Sequence, residues 1–370
     1  MSIKFIAQTD DNELSLEIAN VKPSLINAIR RICLEDHETI AFNIDDYINS
    51  DIKVLKNTSG LHNEFLLHRI GLIPIHYPDN EMFDVNTYKF VLKKENKTKQ
   101  MINVSSEDFE VINTETGKKE NSKLFFPPNK QNSYILINKL KSNTDIGEEI
   151  HVEGKASKFS GKKNARYQPG FITFSNKQDP EKVKVALETY LEENKEKDKV
   201  QNLKKHFEIS LADRYFHTDK NDDCNYFNVS VESFGVIKPT KMLLNCINIL
   251  YNKLDNFKEK ISKIVKEKLE DDNIKVEVSL ENMKCHEITL KNETHTLGNL
   301  IQSYAPVIFN SNNLLKFIGY KNPHPLKDII IFKIATENNT LEELNQVINI
   351  TCEAIMQILT EFKKQIEKKL

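Results

Sequence analysis

The sequence lacks most of the features that announce chemistry. Its five cysteines, Cys33, Cys224, Cys246, Cys285 and Cys352, are an odd count, and no two stand at metal-finger spacing. Each lies near an apolar helix or strand pattern, so a buried thiol is expected ahead of a redox or metal role. The histidines are scattered, with no H-E-x-x-H motif and no cysteine close by, so no metal site is expected. Neither sign of charge is in excess: 52 basic and 54 acidic side chains leave a net charge of −2. A chain that grips nucleic acid unaided usually carries a basic surplus. No stretch reaches the ~18 apolar residues of a membrane span, and Met1 to Leu16 lacks the apolar run of a signal peptide. The expectation is therefore an intracellular protein, in which the glycosylation match Asn57-Thr58-Ser59 is fortuitous. No phosphate loop, paired carboxylates or nucleophile with its base emerges. Asp45-Asp46 and Asp222-Asp223 are adjacent acids, and neighbours on a strand face opposite ways.

What is present is a long, ordinary globular sequence with strong periodicity. A chain of 370 residues outgrows a single core and suggests two to three domains, with 39% hydrophobic and 29% charged residues. Leu14, Leu16 and Ile18 alternate as a half-buried strand. Pro23 then opens a helix whose apolar stripe is Leu25, Ile29 and Ile32, with Arg30 and Arg31 projecting elsewhere. A short strand is expected at Ile40 to Ile44. The capping residues Asn57-Thr58-Ser59 precede a second helix running through His68, closed by Gly71 and Pro74. Strand-and-turn material fills Tyr77 to Ile150, followed by a basic loop, Lys155 to Arg166, and a strand at Phe171 to Phe174. Glu188 to Lys205 reads as a solvated helix or insertion. A long helix starts near Thr240, with Leu243, Ile247, Leu250, Leu254, Phe257, Ile261, Ile264 and Leu269 on its stripe. Strands follow at Val276 to Leu280, at Ile288 and Leu290, and at Ile329 to Ile334, with a helix at Leu297 to Tyr304. A second long helix closes the chain, its stripe formed by Leu344, Ile348, Cys352, Ile355, Leu359, Phe362 and Ile366. Each long helix needs a partner for its stripe, and the simplest partner is the other one.

The two ends of the chain follow one plan: strand, short helix, later strand, long helix. Ala19 to Asn27 aligns with Lys291 to Asn299 at one constant offset, matching Asn20 with Asn292, Leu25 with Leu297 and Asn27 with Asn299. Two similar folds in one chain suggest pairing about a pseudo-twofold axis, the fused form of a symmetric dimer.

These residues also carry a family resemblance. Leu25 to Ile32 (LINAIRRI) resembles the alpha motif of RNA polymerase assembly subunits. Asn57 to Ile75, Gly161 to Pro169 and Val231 to Pro239 resemble the third-largest subunit of eukaryotic polymerase II and its archaeal D-type equivalent. His295 to Leu300 and Gly319 to Leu326 resemble the eleventh subunit and its archaeal L-type equivalent. The motifs span nearly the whole chain in the family's order. The two halves are separate proteins in cellular eukaryotes and archaea, and their fusion resembles polymerases of large DNA viruses. The Asn-, Lys- and Ile-rich composition with ten glycines suits an AT-rich genome. For a viral source the compartments implied are the host cytoplasm with its viral factory, the virion, or the nucleus.

The resemblance implies an α+β fold and a non-catalytic subunit. Residues 1–48 and 176–272 would form the first dimerisation module, 49–175 a mainly β insert, and 273–370 the second module. The segment near Asp271 to Lys275 would join the halves. Partners implied are the largest and second-largest polymerase subunits and a small tenth-type subunit on the insert, with no cofactor. Docking residues would be Asn27, Arg30, Arg31, Lys162, Lys163, Arg166, Asn299, Tyr320 and His324. Leu25, Ile29, Leu250, Leu254, Phe257, Leu297, Ile355, Leu359 and Phe362 would pair the halves. Two departures from the family stand out. No cysteine falls between His76 and Tyr88, where third-largest subunits often carry a zinc loop, so no zinc is expected. Thr294 stands where an acid is usual, and threonine can still cap a helix.

Bland readings stand beside these. Arg30 and Arg31 could be solvated charge. The Lys155 to Arg166 loop could be solvated, could touch nucleic acid, or could meet a large subunit. Pro323-His324-Pro325 reads as a rigid turn, and Gly298 as a site of close helix approach. The rivals for the whole chain are a homodimeric enzyme or regulator on the same scaffold, and an autonomous nucleic-acid-binding module.

Overall fold

The computed structural model describes residues 2–369 except 11, 47, 78–82, 143–146, 196–198, 269–270, 280–282 and 311–312. The elements run β1 (Ser2–Asp10), β2 (Glu13–Ala19), α1 (Pro23–Glu35), β3 (Glu38–Ala41), β4 (Ile52–Asn57), α2 (Asn63–Gly71) and β5 (Tyr88–Glu95). Next come β6 (Ile102–Ser105), β7 (Phe109–Asn113), β8 (Lys119–Glu120), β9 (Leu136–Leu140), β10 (Glu149–Gly154), β11 (Ser157–Ser160) and β12 (Gly170–Asn176). The chain continues through α3 (Pro180–Glu193), α4 (Val200–Ser210), β13 (Tyr226–Ser233) and α5 (Pro239–Glu267). It finishes with β14 (Ile274–Ser279), β15 (Cys285–Lys291), α6 (His295–Ile308), β16 (Leu315–Lys321), β17 (Ile329–Thr336) and α7 (Leu341–Lys369). The class is mixed α+β, as the sequence suggests.

Contacts divide the chain into two compact units. One takes Met1–Ile32, Ile172–Glu232 and Pro239–Leu370, and the other Cys33–Phe171 with Ser233–Lys238. The second unit opens at Cys33, earlier than the residue 49 read from the sequence, because β3 pairs with β11 of that unit.

The first unit holds two four-stranded sheets, ordered β1-β2-β13-β12 and β14-β15-β17-β16. Leaving aside α3 and α4, which lie between β12 and β13, and the elements of the second unit, each set runs strand, strand, helix, strand, strand, helix along the chain, and each places its fourth strand between its second and third. The backbone repeats the likeness in detail. Asn20 and Asn292 both have φ of 62°, the left-handed conformation that asparagine tolerates better than most residues. Each turns the chain from a strand towards the following helix, and each backbone N–H is anchored, to Asn225 O at 2.8 Å and to Asp328 O at 2.6 Å.

The long helices α5 and α7 each have 29 residues. They run antiparallel: Ser262 near one end of α5 donates to Asn345 at 3.0 Å, while Lys363 near the far end of α7 donates to Asn248 at 3.1 Å. Their stripes are buried except for Ile264, which is half-buried, and this answers the amphipathic pattern of the sequence. Leu269 and Leu280 lie outside the described residues. Among the described residues, no helix is long and apolar enough to cross a membrane.

The segment read as a solvated helix or insertion contributes to two helices, α3 and α4. Asp179 caps α3 by accepting from the N–H groups of Glu181 and Lys182, with Pro180 in the first turn. α3 buries no residue, whereas α4 buries Leu203 and Phe207.

In the second unit the main sheet is ordered β4-β10-β5-β7-β8, with β6-β9 and β11-β3 as separate pairs. Its core is mainly aliphatic with a phenylalanine cluster: the Phe42 and Phe90 rings meet edge-on at 5.2 Å, and Phe109 and Phe126 stack at 4.9 Å. Several local expectations are corrected here. α2 begins at Asn63, because Asn57 does not cap it. Asn57 Oδ1 accepts from Ser59 N at 3.0 Å and its Nδ2 donates to Leu61 O at 2.8 Å, closing the preceding turn. The basic stretch contains strand β11 and is not wholly loop. Asp45 and Asp46 lie beyond β3, outside any strand. Four cysteines are buried, but Cys224 is only half-buried.

Candidate subunit interface

Helix α1 turns Leu25, Ile26, Ala28, Ile29 and Ile32 inward, each at most 2% exposed. That periodicity leaves Asn27, Arg30 and Arg31 half-buried on the other side. The two arginines behave differently. Arg30 Nε donates to Asn27 Oδ1 at 3.0 Å, one turn back on its own helix. Arg31 Nε donates to the hydroxyl of Thr296 at 2.8 Å, in the first turn of α6.

α6 runs antiparallel to α1. Ser24 and Ser303 share a 2.5 Å hydroxyl–hydroxyl hydrogen bond, and Lys22 N donates to the Tyr304 hydroxyl at 3.4 Å. Thr294 caps α6 by accepting from Thr296 N, so threonine does the work foreseen for it. Asn299 is exposed on this helix. Tyr320 from β16 lies with its ring against Gly298, where a Cβ would come within 2.6 Å of the ring. The close approach at Gly298 is therefore to a strand side chain rather than to a helix. The Tyr320 hydroxyl is 3.1 Å from His295 Nδ1. Burial raises the Tyr320 phenol, and the Arg31 charge opposes that shift. Burial also pushes the Tyr304 phenol up to about 12.

Asn27, Arg30, Arg31, Asn299 and Tyr320 all belong to the first unit, and Lys162, Lys163 and Arg166 to the second. Lys162 and Lys163 are exposed, the latter with its ammonium 3.4 Å from the centroid of the Phe159 ring. Arg166 is engaged within its own unit. Its side chain is 7% exposed, pairs with Asp45 at 2.9 Å and donates to Phe42 O at 3.1 Å. His324 is exposed in the turn before β17, where its Nδ1 accepts from Leu326 N at 3.1 Å.

The apolar residues form a different class. Leu25, Ile29, Leu250, Leu254, Leu297, Ile355, Leu359 and Phe362 are at most 2% exposed and Phe257 is 5% exposed, all in the first unit. A buried polar group that the motifs did not reveal lies nearby in sequence. Glu17 on β2 accepts from the Tyr226 hydroxyl at 2.7 Å and pairs with Lys177 at 2.5 Å. Burial pushes the Glu17 carboxyl up, but the hydrogen bonds from Lys177 and Tyr226 outweigh it and hold it low. Cross-strand register could have suggested this contact only after the pairing of β2 with β13 was known. Among the described residues, no group of three or more His, Cys, Asp or Glu side chains could hold a metal. The surface at α1 and α6 offers guanidinium, amide and hydroxyl groups, which suit hydrogen bonding to another protein.

Comparison with known proteins agrees with this arrangement. Residues 15–254 and, separately, 285–365 match the RNA polymerase Rpb3/Rpb11 dimerisation domain. A conjugation stage-specific protein of Tetrahymena thermophila is 27% identical over 296 residues, covering 67% of this chain and 91% of its own length. DNA-directed RNA polymerase subunit Rpo3 of Methanosphaera stadtmanae is 26% identical over 274 residues, covering 68% and 95%. The rpac1 subunit of RNA polymerases I and III from Dictyostelium discoideum is 24% identical over 294 residues, covering 69% and 80%. With one match running from β2 well into α5 and a second over β15 to α7, the chain belongs to the RNA polymerase Rpb3/Rpb11 dimerisation-domain family.

Proposed function

We propose that this chain is a non-catalytic assembly subunit of a multisubunit DNA-dependent RNA polymerase, with two alpha-type halves fused and paired about a pseudo-twofold axis. The observation that carries the reading is the matched contact set between the long helices. Aligning Phe257-Lys258 with Phe362-Lys363 carries Leu250, Leu254 and Ile261 onto Ile355, Leu359 and Ile366, and Asn248 onto Glu353. Lys258 pairs with Glu353 at 3.8 Å, and its counterpart Lys363 bonds Asn248, the counterpart of Glu353, at 3.1 Å. One contact is thus made twice, as twofold pairing of two similar halves requires.

On this reading Met1–Ile32 and Ile172–Glu232 act with Pro239–Leu370 as the dimerisation module, and Cys33–Phe171 serve as an insert. The short connection between Glu267 and Ile274 replaces a bimolecular step by raising the effective concentration of each half. One face of the module would receive the second-largest subunit and another the largest, with Asn27, Arg30, Asn299, Tyr320 and His324 among the residues that dock them. Lys162 and Lys163 would add contacts from the insert. The exposed Phe65 of α2 and Leu72 just beyond it, at 66% and 60%, are apolar surface that a small tenth-type subunit would cover. The fusion and the composition favour a large DNA virus as the source, with the host cytoplasm and its viral factory, the virion, or the nucleus as the compartments.

A tagged pull-down from the native source at moderate salt, with mass spectrometry, tests the assignment. Two very large polymerase chains in near-equal amounts are expected. Recovery of the chain alone would remove the assembly role and leave a shared fold.

A further inference from the structure

We infer that the adjacent arginines of α1 divide two tasks: Arg31 registers the first half against the second, and Arg30 is kept for a carboxylate on a partner protein. The inference rests on the pairing of halves proposed above. It begins from the constant offset between the repeats, which carries Ser24 onto Thr296 and Arg31 onto Ser303. The Arg31–Thr296 bond at 2.8 Å and the Ser24–Ser303 bond at 2.5 Å are therefore one contact, made at the two ends of the antiparallel α1 and α6.

The two ends are not alike. Where two short hydroxyl side chains meet directly, the helix backbones must lie close. At the other end a long side chain spans the gap through its Nε. The pair is closed at one end and propped at the other. Two first halves pairing with each other would carry arginine at both ends, and two second halves only hydroxyls, because symmetry makes the ends of a like pair identical. Neighbouring groups share the asymmetry. Lys22 N donates to the Tyr304 hydroxyl beside the closed end, whereas the counterpart of Tyr304 is Ile32, which has no acceptor in its side chain. Thr296 is 5% exposed and also accepts from the Thr294 hydroxyl at 3.3 Å, so Arg31 reaches into the cap of the opposite helix.

Contact counts alone favour neither arrangement, at α1 and α6 or along the long helices; what is particular to α1 and α6 is that side chains of unequal length meet at the two ends. Arg30 completes the division. Beyond its bond to Asn27, its remaining N–H donors have no hydrogen bond or ion pair among the described residues. A half-buried guanidinium with donors to spare is suited to bidentate pairing with a carboxylate.

The test uses the full chain. Arg31→Ala and Thr296→Val should each lower the thermal midpoint by roughly 2–4 °C for a ~1 kcal/mol contact. The double variant should fall no further than the worse single variant, the non-additivity of groups in contact. Arg31→Lys should not restore the midpoint, since an ammonium keeps the charge but lacks the Nε donor. Arg30→Ala should leave the midpoint within about 1 °C and reduce recovery of the large chains in a moderate-salt pull-down. Additive losses, or full rescue by lysine, would overturn the role of Arg31, and undiminished recovery with Arg30→Ala that of Arg30. If the unaltered chain recovers no large subunit while the Arg31–Thr296 coupling persists, the assembly reading fails and the registration role stands.

Discussion

His37 shows what burial does to a single titratable residue. It is 2% exposed, and burial pushes its imidazole down to about 4, with the nearby Lys158 charge acting in the same direction and the hydrogen bond at Glu38 O opposing. The unfolded chain therefore takes up this proton first, near pH 6.5. Above that pH both states are neutral and stability is complete. Below it stability falls until the folded pKa is reached, by an amount on the order of 3 kcal/mol. The urea midpoint should drop between pH 7 and 4.5, and His37→Gln should flatten that slope; an unchanged slope would assign the acid sensitivity elsewhere. His76 is shifted the same way, so some slope should remain. At this scale the sequence reveals residue type better than partnership. Thr294 as a cap was legible because capping is local, although α6 spans His295–Ile308 and so exceeds the Leu297 to Tyr304 read from periodicity at both ends. The Arg166–Asp45 pair was not, because nothing local in either segment specifies the other.

Elements were legible where periodicity was long. The stripes of α5 and α7 recur over many turns, so type and extent follow from the pattern. Leu254, fully buried in α5, should cost about 2–5 kcal/mol on truncation to alanine. Val185, 63% exposed on α3, should cost less than about 0.5 kcal/mol on the same change. Urea unfolding of the two variants checks the contrast, and equal effects would mean that the α5 stripe is not the core it looks to be. Short elements were less legible. The beginning of α2 was misjudged because asparagine and serine side chains serve turns as readily as helix caps. The α3 and α4 segment read only as a solvated helix or insertion because α3 buries nothing and so leaves little pattern.

For the whole molecule, the pairing of halves predicts that the connection between Glu267 and Ile274 is dispensable once folding is complete. A protease site engineered there and cut in the native protein should leave both pieces co-eluting, parting only on strong dilution. Immediate separation would show that the connection, and not the α5–α7 contact, holds them together. The sequence by itself determined the α+β class, the long amphipathic helices, the internal repeat and the family, because periodicity, capping and motif order are local properties of a chain. Only the tertiary structure decided that the two sheets share one strand order, that Arg31 meets Thr296 while Arg30 stays on its own helix, and that Arg166 is tied to Asp45. Those outcomes depend on which distant segments meet, and an exposed arginine and a paired one leave the same trace in sequence.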